Sequence, residues 1–272
     1  MKIIKILVIS GSPKSNGNTL KVVQKVEKEI MKFDENNKFE YINLNDINLG
    51  LCKGCYMCLS VGQEKCPLKD DQKLIENKMD EAEALIFTSP VYVANVSGLF
   101  KNFLDRFAYI CHRPRYHGKK AMIVSSTGAI GDGIVNIIMK VSVETWGFSV
   151  VSKLGAVIST DISEESKKKQ NLDNQNKIVK AARKFYNSIL LKEKPSANFT
   201  KLLAFNIQKA SFKYADPKKA DFIYWSNKCW LKKDTKYYTE VKINPIKYII
   251  VKVIAFVQLR SYPKGKFLND ID

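Results

Sequence analysis

Cys52-Lys53-Gly54-Cys55-Tyr56-Met57-Cys58 sets three thiols at C-x2-C-x2-C spacing, and Cys66-Pro67 brings a fourth after seven intervening residues. Thiolates spaced this way can converge on one centre from a single tight loop, with Cys66 completing four ligands for iron–sulfur or zinc. Zinc prefers paired two-cysteine knuckles, so a run of three favours iron–sulfur. Free thiols and a redox disulfide are the alternatives. Six cysteines with four crowded together fit a metal or redox site in a reducing compartment better than a disulfide framework.

A second candidate lies in Gly11-Ser12-Pro13-Lys14-Ser15-Asn16-Gly17-Asn18-Thr19, which follows an apolar run and precedes a segment of helical length. Small residues let backbone N–H groups approach an anion, Lys14 adds charge, and a helix N-terminus favours negative charge. That is the chemistry of a phosphate cradle. No Lys-Ser or Lys-Thr pair follows the second glycine and no G-x-G-x-x-G is present, so a monophosphate suits it better than a nucleotide P-loop or a dinucleotide site.

Ser89-Pro90-Val91-Tyr92-Val93-Ala94-Asn95 is stiffened by Pro90 and offers Tyr92 beside a flat ring, or else a Tyr packed on a sheet edge. Ser126-Thr127-Gly128-Ala129-Ile130-Gly131 supplies small residues whose backbone can approach a ring edge. Asp105 and Arg106 read as partners in structural ion pairs. The segment Cys111-His112-Arg113-Pro114-Arg115-Tyr116-His117 reads as a connection between elements, with Arg113 or Arg115 available to a phosphate.

The elements that must position these loops follow from apolar periodicity. Runs of strand length occur at 3–9, 39–42, 84–87, 121–124 and 150–158, and segments of helical length at 20–31, 72–79, 98–110, 133–146 and 164–191. Strictly alternating strands and helices predict an α/β, doubly wound, five-stranded parallel sheet covered on both faces. Every strand-to-helix loop then emerges at the carboxyl edge, where ligands bind near the topological switch point. All the chemically interesting loops follow strands, the cysteine loop included.

The chain has 272 residues with a formal net charge of +18, and 45% of them are hydrophobic. That excludes a disordered or fibrous chain. No stretch reaches 18 uninterrupted apolar residues, and the opening apolar run is broken by Lys5 and ends at Ser10, so a cytoplasmic protein is expected rather than one with a signal or spanning segment.

Gly11-Ser12-Pro13-Lys14 through Asn18-Thr19, the Ser89-Pro90-Val91-Tyr92 loop, and Lys101 through Asp105-Arg106 together resemble the flavodoxin-like NADPH-dependent FMN reductase family over about residues 1–190. The cysteine spacing is similar to that of its iron-sulfur flavoprotein branch. The resemblance implies strand order 2-1-3-4-5 and an FMN whose phosphate lies on Ser12, Lys14, Asn16, Gly17, Asn18 and Thr19. Its ring would lie between Pro90, Val91, Tyr92, Val93 and Ser126, Thr127, Gly128. It also implies a [4Fe-4S] centre on Cys52, Cys55, Cys58 and Cys66 passing electrons to FMN.

The expected function is therefore NAD(P)H-dependent, FMN-dependent reduction of a small acceptor such as a flavin or quinone, by a homo-oligomer. One alternative is an iron-sulfur flavoprotein that takes electrons from a ferredoxin-type donor and uses no nicotinamide. Another is a flavin-holding sensor that docks on membrane or nucleic acid through its tail. Two domains are expected, 1–191 with the Cys-rich loop 52–66, and a helical, basic, aromatic-rich extension over 192–272. That extension carries 17 basic against 7 acidic residues. Helices should start at Asp216-Pro217 and Asn244-Pro245. Phe222, Tyr224, Trp225, Trp230, Tyr237 and Tyr238 interleave with lysines and read first as an aromatic cap on the flavin domain or a dimer partner. Peripheral membrane contact ranks next. Nucleic acid ranks last, since no reading module is recognisable.

Overall fold

The structure is a computed structural model that describes residues 3–191, 197 and 199–260. Five strands, β1 (Lys5–Ser10), β2 (Lys38–Asn43), β3 (Ala84–Pro90), β4 (Lys120–Thr127) and β5 (Ser149–Val157), form one wholly parallel sheet in the order β2-β1-β3-β4-β5. The expected flavodoxin-like, doubly wound architecture is what the chain adopts. Intervening helices are α1 (Asn18–Met31), α2 (Met57–Ser60), α3 (Gln72–Glu81), α4 (Gly98–Arg106), α5 (Tyr109–His112), α6 (Asp132–Thr145) and α7 (Glu164–Leu190). After them come α8 (Phe199–Lys213), α9 (Ala220–Asn227) and α10 (Pro245–Arg260).

The chain divides into two compact units, one of residues 1–53, 68–108 and 118–193, the other of 54–67, 109–117 and 194–272. The expected split into 1–191 and 192–272 therefore differs in two places. Most of the cysteine loop, and the segment from Tyr109 to His117, are grouped with the tail.

In the first unit, side chains alternate across the sheet. Ile6, Val8, Ile86, Met122 and Val124 face one side with Val22, Val23 and Val26 of α1 and Ile178 and Phe185 of α7. On the other side Phe87 packs with Phe100, Phe103, Trp146 and Phe148 at ring separations of 6.5, 6.4, 6.4 and 5.3 Å. A single helix was expected over 98–110. It stops at Arg106, where the capping Phe107 leaves helical geometry at φ −105 and ψ 16, and resumes as α5.

The second unit has its own core of Leu202, Phe205, Trp225, Trp230, Tyr237 and Val251. Phe205 stacks on Trp225 at 5.5 Å, and Trp230 meets Tyr238 edge-on at 4.7 Å. The tail rings thus pack on one another. Asn244 caps α10 through Lys247 N, at 3.2 Å. Helix α9 begins three residues after Pro217, because Asp216 is used in a turn that accepts from Lys218 N at 2.9 Å. No described helix is long and apolar enough to cross a membrane.

Candidate functional site

The loop between β1 and α1 is fixed at its base. Gly11 N donates to Thr88 O at 2.8 Å, and Ser97 Oγ donates to Gly11 O at 2.6 Å. A Cβ at Gly11 would stand 2.6 Å from Phe100 Cβ, so only glycine fits. Beyond it, the buried Ser12 turns the chain by accepting from Lys14 N at 3.2 Å and donating to Lys14 O at 3.0 Å. Gly17 N donates to the same carbonyl at 3.1 Å. Lys14, Asn16 and Asn18 are exposed around this turn.

Gly17 then starts α1 with no side-chain cap and no acidic residue in the first turn. The contrast with other helices is direct. Ser97 caps α4 through Phe100 N at 3.1 Å, and Ser163 caps α7 through Ser166 N at 3.2 Å, with Glu164 and Glu165 in its first turn. Helix α1 leaves its opening N–H groups and the positive end of its dipole to an outside anion, a feature it shares with α3, which also has neither a side-chain cap nor a first-turn acid.

Beneath that helix start lies a layer of hydroxyls. Ser10 and Thr88 are register partners, and Ser126 sits two residues beyond Val124, the partner of Thr88, so all three share the face that α1 covers. Thr19 Oγ1 and Ser126 Oγ are 2.5 Å apart and both residues are buried. Thr88 Oγ1, fully buried, has no hydrogen-bond partner among the described residues. Burying a hydroxyl unpaired is costly, so the orphan marks a place where a polar group is missing. The cradle therefore fits a phosphate by three observations: an uncapped helix start, a lysine at its rim and an orphaned hydroxyl below.

The other two loops meet at the same edge. Val91 N donates to Ser126 O at 2.8 Å, and Thr127 Oγ1 closes its own turn onto Ile130 O at 2.8 Å. Tyr92 and Asn95 exchange both backbone hydrogen bonds, at 3.0 and 2.9 Å, around a two-residue turn. Val93 and Ala94 stand there at φ 49 and 55, where glycine or asparagine is usual and a β-branched residue is strained. Val93 is wholly exposed and Tyr92 is 48% exposed, so Tyr92 is not packed against the sheet edge. Pro90, Ser126 and Thr127 are buried, and Gly128 is open.

The cysteine loop is anchored at both ends within the first unit, by residues the sequence did not single out for that role. Asn102 of α4 accepts from Cys52 N at 3.0 Å and donates to Leu49 O and Gly50 O at 3.1 and 3.2 Å. Arg106 pairs with the buried Asp70 through both terminal nitrogens and donates to Gly50 O at 2.9 Å. Burial pushes the Asp70 carboxyl up, but Arg106 and the N–H groups of Gly50 and Gln72 outweigh it and hold the group below its ordinary range. Asp105 pairs with Lys101 at 2.6 Å. Both residues are structural ion-pair partners, as expected.

Within the second unit, Gly54 and Tyr56 take left-handed conformations ahead of α2, and Arg113 donates to Cys58 O. Arg113 is buried, with Nε 3.4 Å from Asp221 Oδ1, so it is committed to packing and not to a phosphate. His112 Nδ1 lies 2.7 Å from Asp221 Oδ2. Cys52 and Cys55 are exposed, and Cys58 and Cys66 partly so. Among the described residues no three His, Cys, Asp or Glu side chains are gathered to hold a metal ion. The four thiols are the right donor set for a cluster.

Residues 4–161 match the NADPH-dependent FMN reductase family. An iron-sulfur flavoprotein of Archaeoglobus fulgidus is 31% identical over 175 residues, 61% of this chain and 75% of that protein. An iron-sulfur flavoprotein of Clostridioides difficile is 31% identical over 144 residues, 53% of this chain and 63% of that protein, so the chain spans somewhat under two thirds of the latter's length. Among solved structures, RosB with bound 8-demethyl-8-formylriboflavin-5'-phosphate superposes with a TM-score of 0.57 at 14% identity, covering 78% of this chain and 88% of that one. At that identity the likeness is one of fold.

Proposed function

Because the chain belongs to the NADPH-dependent FMN reductase family, in its iron-sulfur flavoprotein-like branch, we propose that it is an FMN-dependent oxidoreductase. In this reading NAD(P)H is the reductant and a small flavin- or quinone-like compound the acceptor. The observation that carries it is the uncapped start of α1 above the orphaned Thr88 hydroxyl. Ser12, Lys14, Asn16, Gly17, Asn18 and Thr19 hold the phosphate, largely through backbone N–H groups. Pro90, Val91, Tyr92 and Val93 flank one side of the ring and Ser126, Thr127 and Gly128 the other. Bound FMN supplies hydride and single-electron transfer. The chain's part is to bind and orient, and no side chain is needed as acid or base. Purified chain titrated with FMN should quench flavin fluorescence at one equivalent, and Thr19→Val should weaken binding by about tenfold. No binding at saturating FMN would sink the proposal.

A second reading is a carrier that draws electrons from a ferredoxin-type donor without nicotinamide. The cysteine spacing and the names of the relatives support it. Iron and sulfide assays on anaerobically purified protein decide whether Cys52, Cys55, Cys58 and Cys66 hold a cluster. Flavin bleaching by NADPH, or only by reduced ferredoxin, separates the two readings. A homo-oligomer has support in the outer side of α6, where Ile134, Ile137 and Val141 are 55, 56 and 55% exposed. Ile137→Glu should dissociate it in sedimentation velocity.

A further inference from the structure

Helix α10 is apolar on two sides. One side, with Val251 and Ala255 buried and Tyr248 partly so, packs on α8 within the second unit. On the other, Ile246, Ile249, Ile250 and Val253 are 70, 63, 46 and 57% exposed. Their spacing of i, i+3, i+4 and i+7 makes one continuous stripe. At about 100° per residue, Lys247 and Lys252 fall on opposite edges of that stripe, between it and the buried line. Both are exposed, and Pro245–Arg260 contains no acidic residue.

We propose that this stripe is a docking surface for an anionic lipid bilayer, on which α10 lies flat with Ile246, Ile249, Ile250 and Val253 in the acyl boundary. Charge complementarity selects this occupant. A second copy of the stripe would bring lysines against lysines within a tail already ten charges to the positive. Anionic headgroups accept the charges of Lys247 and of Lys252, whose Nζ lies 5.3 Å from the Tyr248 ring centroid, at the borders of the stripe. A nucleic acid strand would instead call for stacking rings, and the stripe of Ile246, Ile249, Ile250 and Val253 is aliphatic. Over its described residues the helix is not long and apolar enough to cross a bilayer. This proposal is independent of the flavin reading.

The test is cosedimentation of the full chain with vesicles of phosphatidylcholine alone, and of phosphatidylcholine with a quarter phosphatidylglycerol. Binding is expected to the anionic vesicles, and to fall about tenfold on the neutral ones or in high salt. Lys247→Glu with Lys252→Glu should weaken it about thirtyfold or more. Ile249→Glu with Val253→Glu should weaken it at least about tenfold on the same vesicles. All four positions are exposed, so the melting transition should stay within a few degrees of the parent chain. No cosedimentation in low salt overturns the proposal, as does binding that survives both double substitutions. A lipid-free dimer that Ile249→Glu with Val253→Glu makes monomeric also overturns it, by assigning the stripe to a second copy.

Discussion

The two units bury their apolar residues in different ways. In the first, the core is a product of regular alternation. Leu7, Ile9, Leu85, Phe87 and Ile123 leave one face of the sheet and Ile6, Val8, Ile86 and Val124 the other, and all nine are buried. In the second, no described strand imposes a period, and rings at irregular spacing meet from two stretches of chain, as where His117 stacks on Tyr238 at 4.7 Å. A core made by periodicity is robust to local change and places its loops accurately. One made of interlocking rings depends on a few large side chains, and it buries titratable groups among them.

The sharpest way to break this contrast is to remove one support from each unit. Asp70→Asn leaves buried Arg106 without its carboxylate and should cost about 3–5 kcal/mol in denaturant unfolding, with the base of the cysteine loop exchanging hydrogen first. The Asp70 carboxyl is depressed in the folded chain. Its stabilisation is therefore complete above the ordinary carboxylate range and is lost as pH falls through the lower folded value. Trp225→Ala should cost about 3–5 kcal/mol. Hydrogen exchange should then rise in 109–117 and 199–260 while β1, β3 and β4 stay protected. Equal loss in both regions would show that the units do not melt separately.

His117 sharpens the contrast by pH. Burial, with help from Lys201 and Lys228, pushes it down to about 4. Between its unfolded value near 6.5 and that lower one, the unfolded chain binds the extra proton, so stability declines as pH falls across this window. The loss should approach about 3 kcal/mol in the second unit's transition, and His117→Phe should abolish the dependence. In the first unit, Gly11→Ala drives a methyl into Phe100 and should cost about 1–3 kcal/mol, together with displacement of the phosphate loop visible as weaker FMN binding. Smallest of all, Val93→Asn with Ala94→Gly should stabilise the chain by about 1 kcal/mol in thermal melts, because the new residues accept the left-handed turn.

The same contrast explains what the sequence made legible. Apolar runs followed by Gly, Ser and Asn loops announce strands and the edge they end at, so the parallel sheet could be read from residue types, while its order came with the family resemblance. The pairing of Asp70 with Arg106 across 36 residues carries no local signal, nor does the use of Asn102 to hold Cys52. The orphaned Thr88 hydroxyl looks like any strand threonine until its neighbours are in place. The start of α10 was legible in Asn244-Pro245, but its two faces were not, for a different reason. Its buried line and its outward stripe are both aliphatic, so their periodicities cancel and the lysines seem scattered, although two of them sit on the stripe's borders.

The discontinuous make-up of the second unit also has a bearing on synthesis. Residues 54–67 and 109–117 leave the ribosome long before 199–260, which carry most of the aromatic core they join. Every strand of the sheet has by then emerged. The nascent chain therefore carries its three thiols Cys55, Cys58 and Cys66 on a segment whose unit is still unfinished until α8, α9 and α10 have been translated.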